Sequence, residues 1–128
     1  MVDTLTFPMV EVVARSYLLS RMPGEKVGTK VPKVPGRFIK LDSSGGADQT
    51  VVTGRRILIV QCYEKDQIAA GRLAEDCFAV LKSATRDPTN RAIRKVTTVG
   101  APAYFPDLEG GHERYQFTVE ILLRAQLS

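Results

Sequence analysis

One stretch near the end of the chain constrains the fold more than any other, because apolar and polar side chains alternate along residues 113–125. The apolar positions are Tyr115, Phe117, Val119, Ile121 and Leu123. Successive side chains of a β-strand point to opposite faces, so this period of two predicts a strand with one buried face. Burial of the Phe117 ring contributes about 1.5–3 kcal/mol. We therefore expect this strand to lie in the core and the truncation of Phe117 to be strongly destabilising.

The remaining sequence predicts two helices and three further strands. Thr6 is the expected cap of a helix over 6–22. Asp66 is the expected cap of a second helix over 67–84, in which Gly71 permits close packing. The three further strands are predicted over 37–43, 51–63 and 94–101. A loop over 43–50 is predicted to join the first two of them.

The order α-β-β-α-β-β predicts an α+β fold in which an antiparallel four-stranded sheet has helices packed on it. Residues 57–60 are apolar on both faces of their predicted strand. This pattern indicates that the second face of the sheet is covered as well. The cover is the N-terminal helix, an extended arm, or another subunit.

The length of 128 residues fits a single domain covering 1–128. Within it we expect an N-terminal helix in 1–24, an extended basic arm in 25–36, and the sheet with the central helix in 37–128. Two prolines in the basic arm prevent a helix and remove donors for strand pairing.

Two features of the composition indicate the compartment. No apolar run approaches the ~20 residues of a transmembrane helix, and no signal-peptide pattern is visible, so we expect no membrane association. Cys62 and Cys77 are too few for a disulfide-stabilised secreted domain. They indicate two reduced core thiols in a protein made in a cytoplasm.

The net charge of +4 is confined to the first third of the chain. Residues 1–40 carry seven basic and three acidic residues, whereas the remainder is balanced. One basic cluster contains Lys26, Lys30, Lys33, Arg37 and Lys40, and a second contains Lys82, Arg86, Arg91, Arg94 and Lys95. Such clusters serve as solvated faces, subunit contacts or phosphate contacts. Only Phe38 falls within the first cluster, so the interleaved aromatic residues of proteins that bind single-stranded nucleic acid are missing, which favours protein contacts.

No pattern in the sequence predicts catalysis. His112 is the only histidine and follows two glycines, which predicts a surface loop. Cys77 lies on an apolar helical stripe, where a thiol is inert. The carboxylates of Asp107 and Glu120 lack the nearby lysine that a nuclease site needs. We therefore expect no enzymatic activity, no metal and no cofactor.

Three strings, FIKLDSSGG at 38–46, RILIVQCY at 56–63 and RYQFTVE at 114–120, occur in the order seen in one family. The chain resembles the tail terminator proteins of long-tailed, siphovirus-type bacteriophages, especially those of mycobacteria and other actinobacteria. The resemblance extends to the N-terminal helix, the proline-rich basic arm and the Pro-Asp loop before the last strand. It covers most of the chain.

This resemblance implies a structural virion protein, not an enzyme, that is made in the cytoplasm of the bacterial host. It implies a six-membered ring at the neck end of the tail, which caps the tail tube, ends its polymerisation and joins the tail to the head connector. The implied partners are other copies of the chain, the tail tube protein and a head-tail connector or head-closure protein. Genomic DNA passes through the lumen of such a ring without specific binding.

A ring needs heterologous contacts, in which two different surfaces of one subunit meet. The basic arm and the hairpin tip at 43–53 are the predicted contact surfaces. On charge alone, we expect one set of basic residues to meet one set of acidic residues of a neighbour. The basic residues are Lys30, Lys33, Arg37 and Arg55, and the acidic residues are Asp48, Glu75 and Asp76.

Three alternatives have different tests. Another neck protein, such as a head-closure or adaptor protein, would not form six-fold rings that cap tail tubes. A basic nucleic-acid-binding module would bind duplex DNA with steep salt dependence. A small enzyme would have an activity that substitution of His112 by alanine alters.

Overall fold

Two helices and a main sheet of five strands make up most of the computed structural model, which describes residues 4–33 and 36–127. The first half contains β1 (Leu5–Thr6), α1 (Val10–Arg21), β2 (Val27–Gly28), β3 (Phe38–Asp48) and β4 (Thr53–Glu64). The second half contains α2 (Gln67–Ser83), a short 3-10 turn (Ala84–Arg86), β5 (Ile93–Tyr104), β6 (Glu113–Arg124) and β7 (Gln126–Leu127). The described strands and helices follow the predicted α+β class.

The main sheet has the strand order β2-β3-β4-β6-β5 and is mixed, so the prediction of a four-stranded antiparallel sheet is wrong. The four long strands pair antiparallel, but β2 pairs parallel with Ile39 and Lys40 of β3. Val27 and Gly28 precede the prolines of the basic arm, so they keep their backbone donors. Val34 and Pro35 of that arm lie outside the described residues.

The core lies between one face of the sheet and both helices. The alternation predicted for β6 is confirmed, since Phe117, Val119, Ile121 and Leu123 are buried. Helix α1 packs against β2 and β3, and α2 packs against β4, β6 and β5. Side chains from both helices and from the inward face of β6 form one cluster.

The opposite face of the sheet, called the open face here, carries neither helix. The interpretation that the N-terminal helix covers it is therefore wrong, because α1 shares the core face with α2. The basic arm adds β2 to the edge of the sheet instead of lying across it. Ile57 and Ile59 lie on the open face and are partly buried.

The helix ends differ in how well the sequence predicts them. Asp66 caps α2 as predicted, and its side chain accepts a hydrogen bond from the Ala69 amide at 3.0 Å. Thr6 does not cap α1, which begins after Met9. Thr6 instead belongs to β1, which pairs antiparallel with β7. This pairing joins segments from the two ends of the chain, and local sequence carries no signal for it.

The predicted loop over 43–50 is mostly strand, because β3 continues to Asp48. A register shift between Ser43 and Gly45 absorbs one residue, and pairing with β4 then resumes. Gly46 has a φ of 151°, and the backbone of Arg55 leaves no room there for a Cβ atom. The glycine pair thus permits the strand to continue instead of ending it.

The two cysteines are buried and unbridged, as predicted. The Sγ atoms of Cys62 on β4 and Cys77 on α2 lie 3.9 Å apart. The Cys77 thiol and burial raise the pKa of Cys62 well above its usual value. Gly71 also behaves as predicted, since a Cβ atom at this position would lie 3.2 Å from the ring of Tyr115.

Replacing Phe117 by alanine should lower the free energy of unfolding by about 3–5 kcal/mol. The ring is 1% exposed and lies 5.2 Å from the ring of Phe78 on α2, so its loss leaves a cavity between sheet and helix. Urea unfolding measures the change. The matched control is Phe105→Ala, in which a 55% exposed ring is removed at a cost below about 1 kcal/mol. Equal losses for the two variants would contradict this packing.

Candidate functional site

The basic arm places two of its lysines at one edge of the sheet. Lys30 and Lys33 follow β2, which is the edge strand, and both are exposed. Neither forms an ion pair with any residue that the structure describes. Val31 lies between them with 37% of its surface exposed. We call Lys30, Val31 and Lys33 the lysine side.

Arg37 lies in a different environment from these lysines. Its guanidinium contacts the carboxylate of Glu25 at 2.9 Å and that of Glu64 at 3.1 Å. The hydrogen bonds to Glu25 are the main cause that raises the pKa of Arg37, and Glu64 adds to it. The charge of Arg37 is thus balanced within the chain and ties the arm to the end of β4.

The hairpin tip also has internal partners for its charges. Asp48 accepts a hydrogen bond from Arg56 at 3.1 Å, and the Arg56 guanidinium stacks 4.8 Å from the centre of the Phe7 ring. Arg55 lies 3.9 Å from Glu120 of β6, at the limit of an ion pair. Asp48 and Arg55 are therefore partly neutralised inside the subunit.

Glu75 and Asp76 lie on the exposed surface of α2. They border a concavity of about 430 Å³, which Ile68, Arg72 and Tyr115 also line, so the net charge there is negative. No ion pair forms at either carboxylate within 4–33 and 36–127. We call Ile68, Glu75 and Asp76 the acidic side. Because α2 packs on the core face over β4, β6 and β5 while the arm borders β3 at one edge of the sheet, the two sides are different surfaces of the subunit.

A convergence of three arginines was missed in the sequence. Arg91 and Arg94 of the second basic cluster line a concavity of about 340 Å³ together with Arg124 of β6, and we call this concavity the arginine pocket. Arg124 is distant in sequence, but its amide donates to the Ala92 carbonyl at 3.0 Å. The register of β5 against β6 brings Arg124 beside Arg91 and Arg94. The bulges in β5 shift this register, so it cannot be predicted from the sequence.

A groove of about 760 Å³ runs between α1 and the turn that follows α2. Asp87 closes one end of it and receives hydrogen bonds from Thr89 at 2.6 Å and from the Tyr17 hydroxyl at 3.0 Å. It also forms an ion pair with Arg21. The hydrogen bond from Thr89, followed by the contact with Arg21, lowers the pKa of Asp87 far below its usual value. Asp87 thus fixes the end of α1 to the end of α2.

His112 is not the surface histidine that the sequence predicts. Its side chain is 10% exposed and packs edge-on against the Tyr63 ring, with 5.6 Å between ring centres. Its Nδ1 lies 3.8 Å from the Asp107 carboxylate, and neither ring nitrogen has a hydrogen-bond partner among the described atoms. The backbone bridge between Asp107 and His112 folds the loop back over the ring.

Two negative findings complete the description. No group of three metal-ligating side chains comes together in the described part of the chain. In the same two segments, neither helix is long and apolar enough to cross a membrane.

Comparisons with known proteins show likeness in fold and not in sequence. No family model matches the chain, and no curated protein matches it. Among solved structures, the chain is similar to one from the virion of a native gene transfer agent (GTA) particle, with a TM-score of 0.57 and 13% identity. The match covers 90% of this chain and 94% of the other. At this identity the likeness shows the fold.

Replacing Asp87 by asparagine should destabilise the protein at neutral pH and flatten its response to acid. The pKa of Asp87 is lowered by folding, so its contribution is present above the unfolded pKa of about 3.9 and is lost as the pH falls below it. The difference in urea midpoint between wild type and Asp87→Asn should therefore shrink below about pH 4. Glu109→Gln, which removes an exposed carboxylate with no ion pair among the described residues, is the control and should leave the urea midpoint at neutral pH close to that of wild type. A difference in urea midpoint between wild type and Asp87→Asn that stays constant down to about pH 2 would refute the stabilising role of the Asp87 carboxylate.

Proposed function

We propose that the chain is a structural virion protein of the tail terminator type, which forms a hexameric ring on the end of a tail tube. The observation that carries this proposal is the likeness in fold, over 90% of the chain, to a chain of the GTA virion. The resemblance of three strings in β3, β4 and β6 to phage tail terminators supports the same role. In this role the protein ends tube polymerisation and acts without enzymatic activity.

The proposed partners follow from this role. The ring binds the tail tube protein on one surface and a head-tail connector or head-closure protein on the other. It resides at the neck end of the tail and is made in the cytoplasm of the bacterial host. A single domain over 1–128 is part of the proposal.

The arrangement of charges supports a ring, because the two unpaired surfaces differ in sign. A heterologous contact joins two different patches and, when the rotation closes, generates a ring. The lysine side and the acidic side are different surfaces of the subunit, so each subunit can offer one to each neighbour. Of the predicted interface residues, Lys30, Lys33, Glu75 and Asp76 fit this contact best.

Exposed ion pairs contribute only about 0–1 kcal/mol each, so charge alone does not hold subunits together. Apolar residues lie within both surfaces, with Val31 between the two lysines and the 61% exposed Ile68 beside the acidic residues. Burial of such side chains supplies affinity, and the flanking charges select orientation. The open face of the sheet, with Ile57 and Ile59, offers a further surface for a partner.

Reversing two charges on the lysine side should weaken the ring and leave the subunit folded. We choose Lys30→Glu with Lys33→Glu, since both side chains are exposed, and leave Arg37 unchanged because it is paired within the chain. Native mass spectrometry and class averages of negatively stained particles measure the assembly, and circular dichroism measures folding. Intact rings in the double variant would exclude this contact.

Two matched variants sharpen the test. Lys65→Glu with Arg86→Glu makes the same change in net charge at exposed positions off both sides and should leave rings intact. Adding Glu75→Lys and Asp76→Lys to the first variant restores opposite charges across the contact and should recover rings. Rings that fail to recover would show that the lysine side meets a different surface. Rings that bind a head connector but not tail tubes would favour a head-closure protein.

A further inference from the structure

The arginine pocket takes no part in the proposed ring contact, and its geometry is well defined. The turn after α2 positions Arg91, and the first residues of β5 position Arg94. Arg124 ends β6 and is held beside them by the bond from its amide to Ala92. Three arginines therefore line one concavity of about 340 Å³.

The neutral groups and the single carboxylate of this pocket already have partners. The Asn90 side chain donates to the carbonyls of Ala84 and Ile93, at 3.3 and 2.7 Å, and accepts from the Ile93 amide. The Thr85 hydroxyl accepts from the amide of Val96 at 3.0 Å. Asp87 is occupied by Arg21, Tyr17 and Thr89. The pocket's own groups therefore offer no counter-charge to its arginines.

The three arginines themselves have no ion pair with any carboxylate in 4–33 or 36–127. A guanidinium group presents five donors in a fixed fork that fits the oxygens of an anion. Three like charges around one concavity repel each other, and an anion bound between them removes that repulsion. The pocket therefore favours an anionic ligand.

The positive charge continues from the pocket onto the open face. Arg55 and Lys95 both pair with Leu122 of β6, one from each side. Residues directly opposite one another across strands share a face, so both side chains lie on the open face. Lys95 has no ion-pair partner in the described chain, whereas Arg55 is partly neutralised at 3.9 Å by Glu120, which lines the same concavity as Arg55 and Lys95. Lys95 therefore extends the unpaired positive charge of the pocket along β5.

We propose that Arg91, Arg94 and Arg124, together with Lys95, bind phosphodiester groups of a nucleic-acid backbone. Four unpaired cations fit a polymer that carries many phosphates better than one carboxylate. The lining of the pocket contains no aromatic side chain on which a base would stack. Contacts limited to the backbone carry no sequence information, so the binding is independent of sequence.

A neighbouring copy is a poorer occupant of this pocket. The unpaired carboxylates Glu75 and Asp76 lie on α2, which packs over the same strands that carry the pocket. The opposite edge, which a ring would bring towards it, carries Lys30 and Lys33. The exclusion of a neighbouring copy rests on the proposed ring, whereas the other observations on the pocket hold for a single subunit.

The test measures binding of a labelled duplex DNA by fluorescence anisotropy at several salt concentrations from about 50 to 200 mM. Each phosphate that a protein neutralises adds about 0.9 to the slope of log affinity against log salt. The variant R91Q/R94Q/R124Q should reduce this slope by about 2.7. The variant R91K/R94K/R124K, which keeps the charges, should retain most of the slope. Duplexes of different sequence should bind alike.

The matched control K26Q/K65Q/K82Q removes the same charge at exposed positions outside the arginine pocket, the lysine side and the acidic side, and it should keep the full slope. An equal loss in the two glutamine variants would overturn the proposal, because net charge alone would then explain binding. A marked preference for one DNA sequence, or equal displacement of DNA by polyglutamate at matched charge, would overturn it as well. Circular dichroism of each variant confirms folding, and the single variant Lys95→Gln, expected to lower the slope by about 0.9, gives an independent measurement.

Failure of this proposal and failure of the proposed ring give different results. The DNA assay uses the protein in either state of assembly, with the oligomeric state measured by native mass spectrometry at each salt concentration. Rings that form but show no salt-dependent DNA binding would overturn the proposed phosphate site and leave the proposed ring intact. Salt-dependent DNA binding by a protein that forms no rings would support the phosphate site and overturn the proposed ring.

Discussion

Burial of the inward face of β6 is the interaction on which the other elements depend. Phe117, Val119 and Ile121 lie between β4 and β5 in the sheet and beneath the helices. Each such side chain contributes about 1.5–3 kcal/mol when it leaves water. Because both helices cover this one face, the polar side chains between these residues face outwards. The open face follows from the same alternation that builds the core.

The sequence was most informative where the signal is local. Period-two alternation located β6, and Asp66 located the start of α2. It was least informative where partners are distant in the chain. The pairing of Val27 with Ile39 and the pairing of β1 with β7 depend on contacts across the fold. They leave no periodic pattern, so the sheet was predicted with one strand too few.

The same distinction separates the charged residues. Charge clusters in the sequence indicated Lys30, Lys33, Glu75 and Asp76, which the structure leaves exposed. The charge clusters did not predict that Glu25 and Glu64 neutralise Arg37, or that Arg56 neutralises Asp48. A pairing of charges depends on which strands become neighbours. The arginine pocket has the same origin, since Arg124 reaches Arg91 only through the register of β6.

The pairing of β1 with β7 has a consequence for the order of folding. Leu5 lies opposite Leu127, so this small sheet closes a loop that contains almost the whole chain. Closing so long a loop costs chain entropy that only earlier contacts can reduce. Each strand has two residues, which are exposed, so the closure stores little stability of its own. The β1–β7 pairing therefore forms after the core has assembled and is among the first parts of the fold to open. Hydrogen exchange at the amides of β1 and β7 then reports local fraying, whereas exchange at the amides of β6 reports global unfolding.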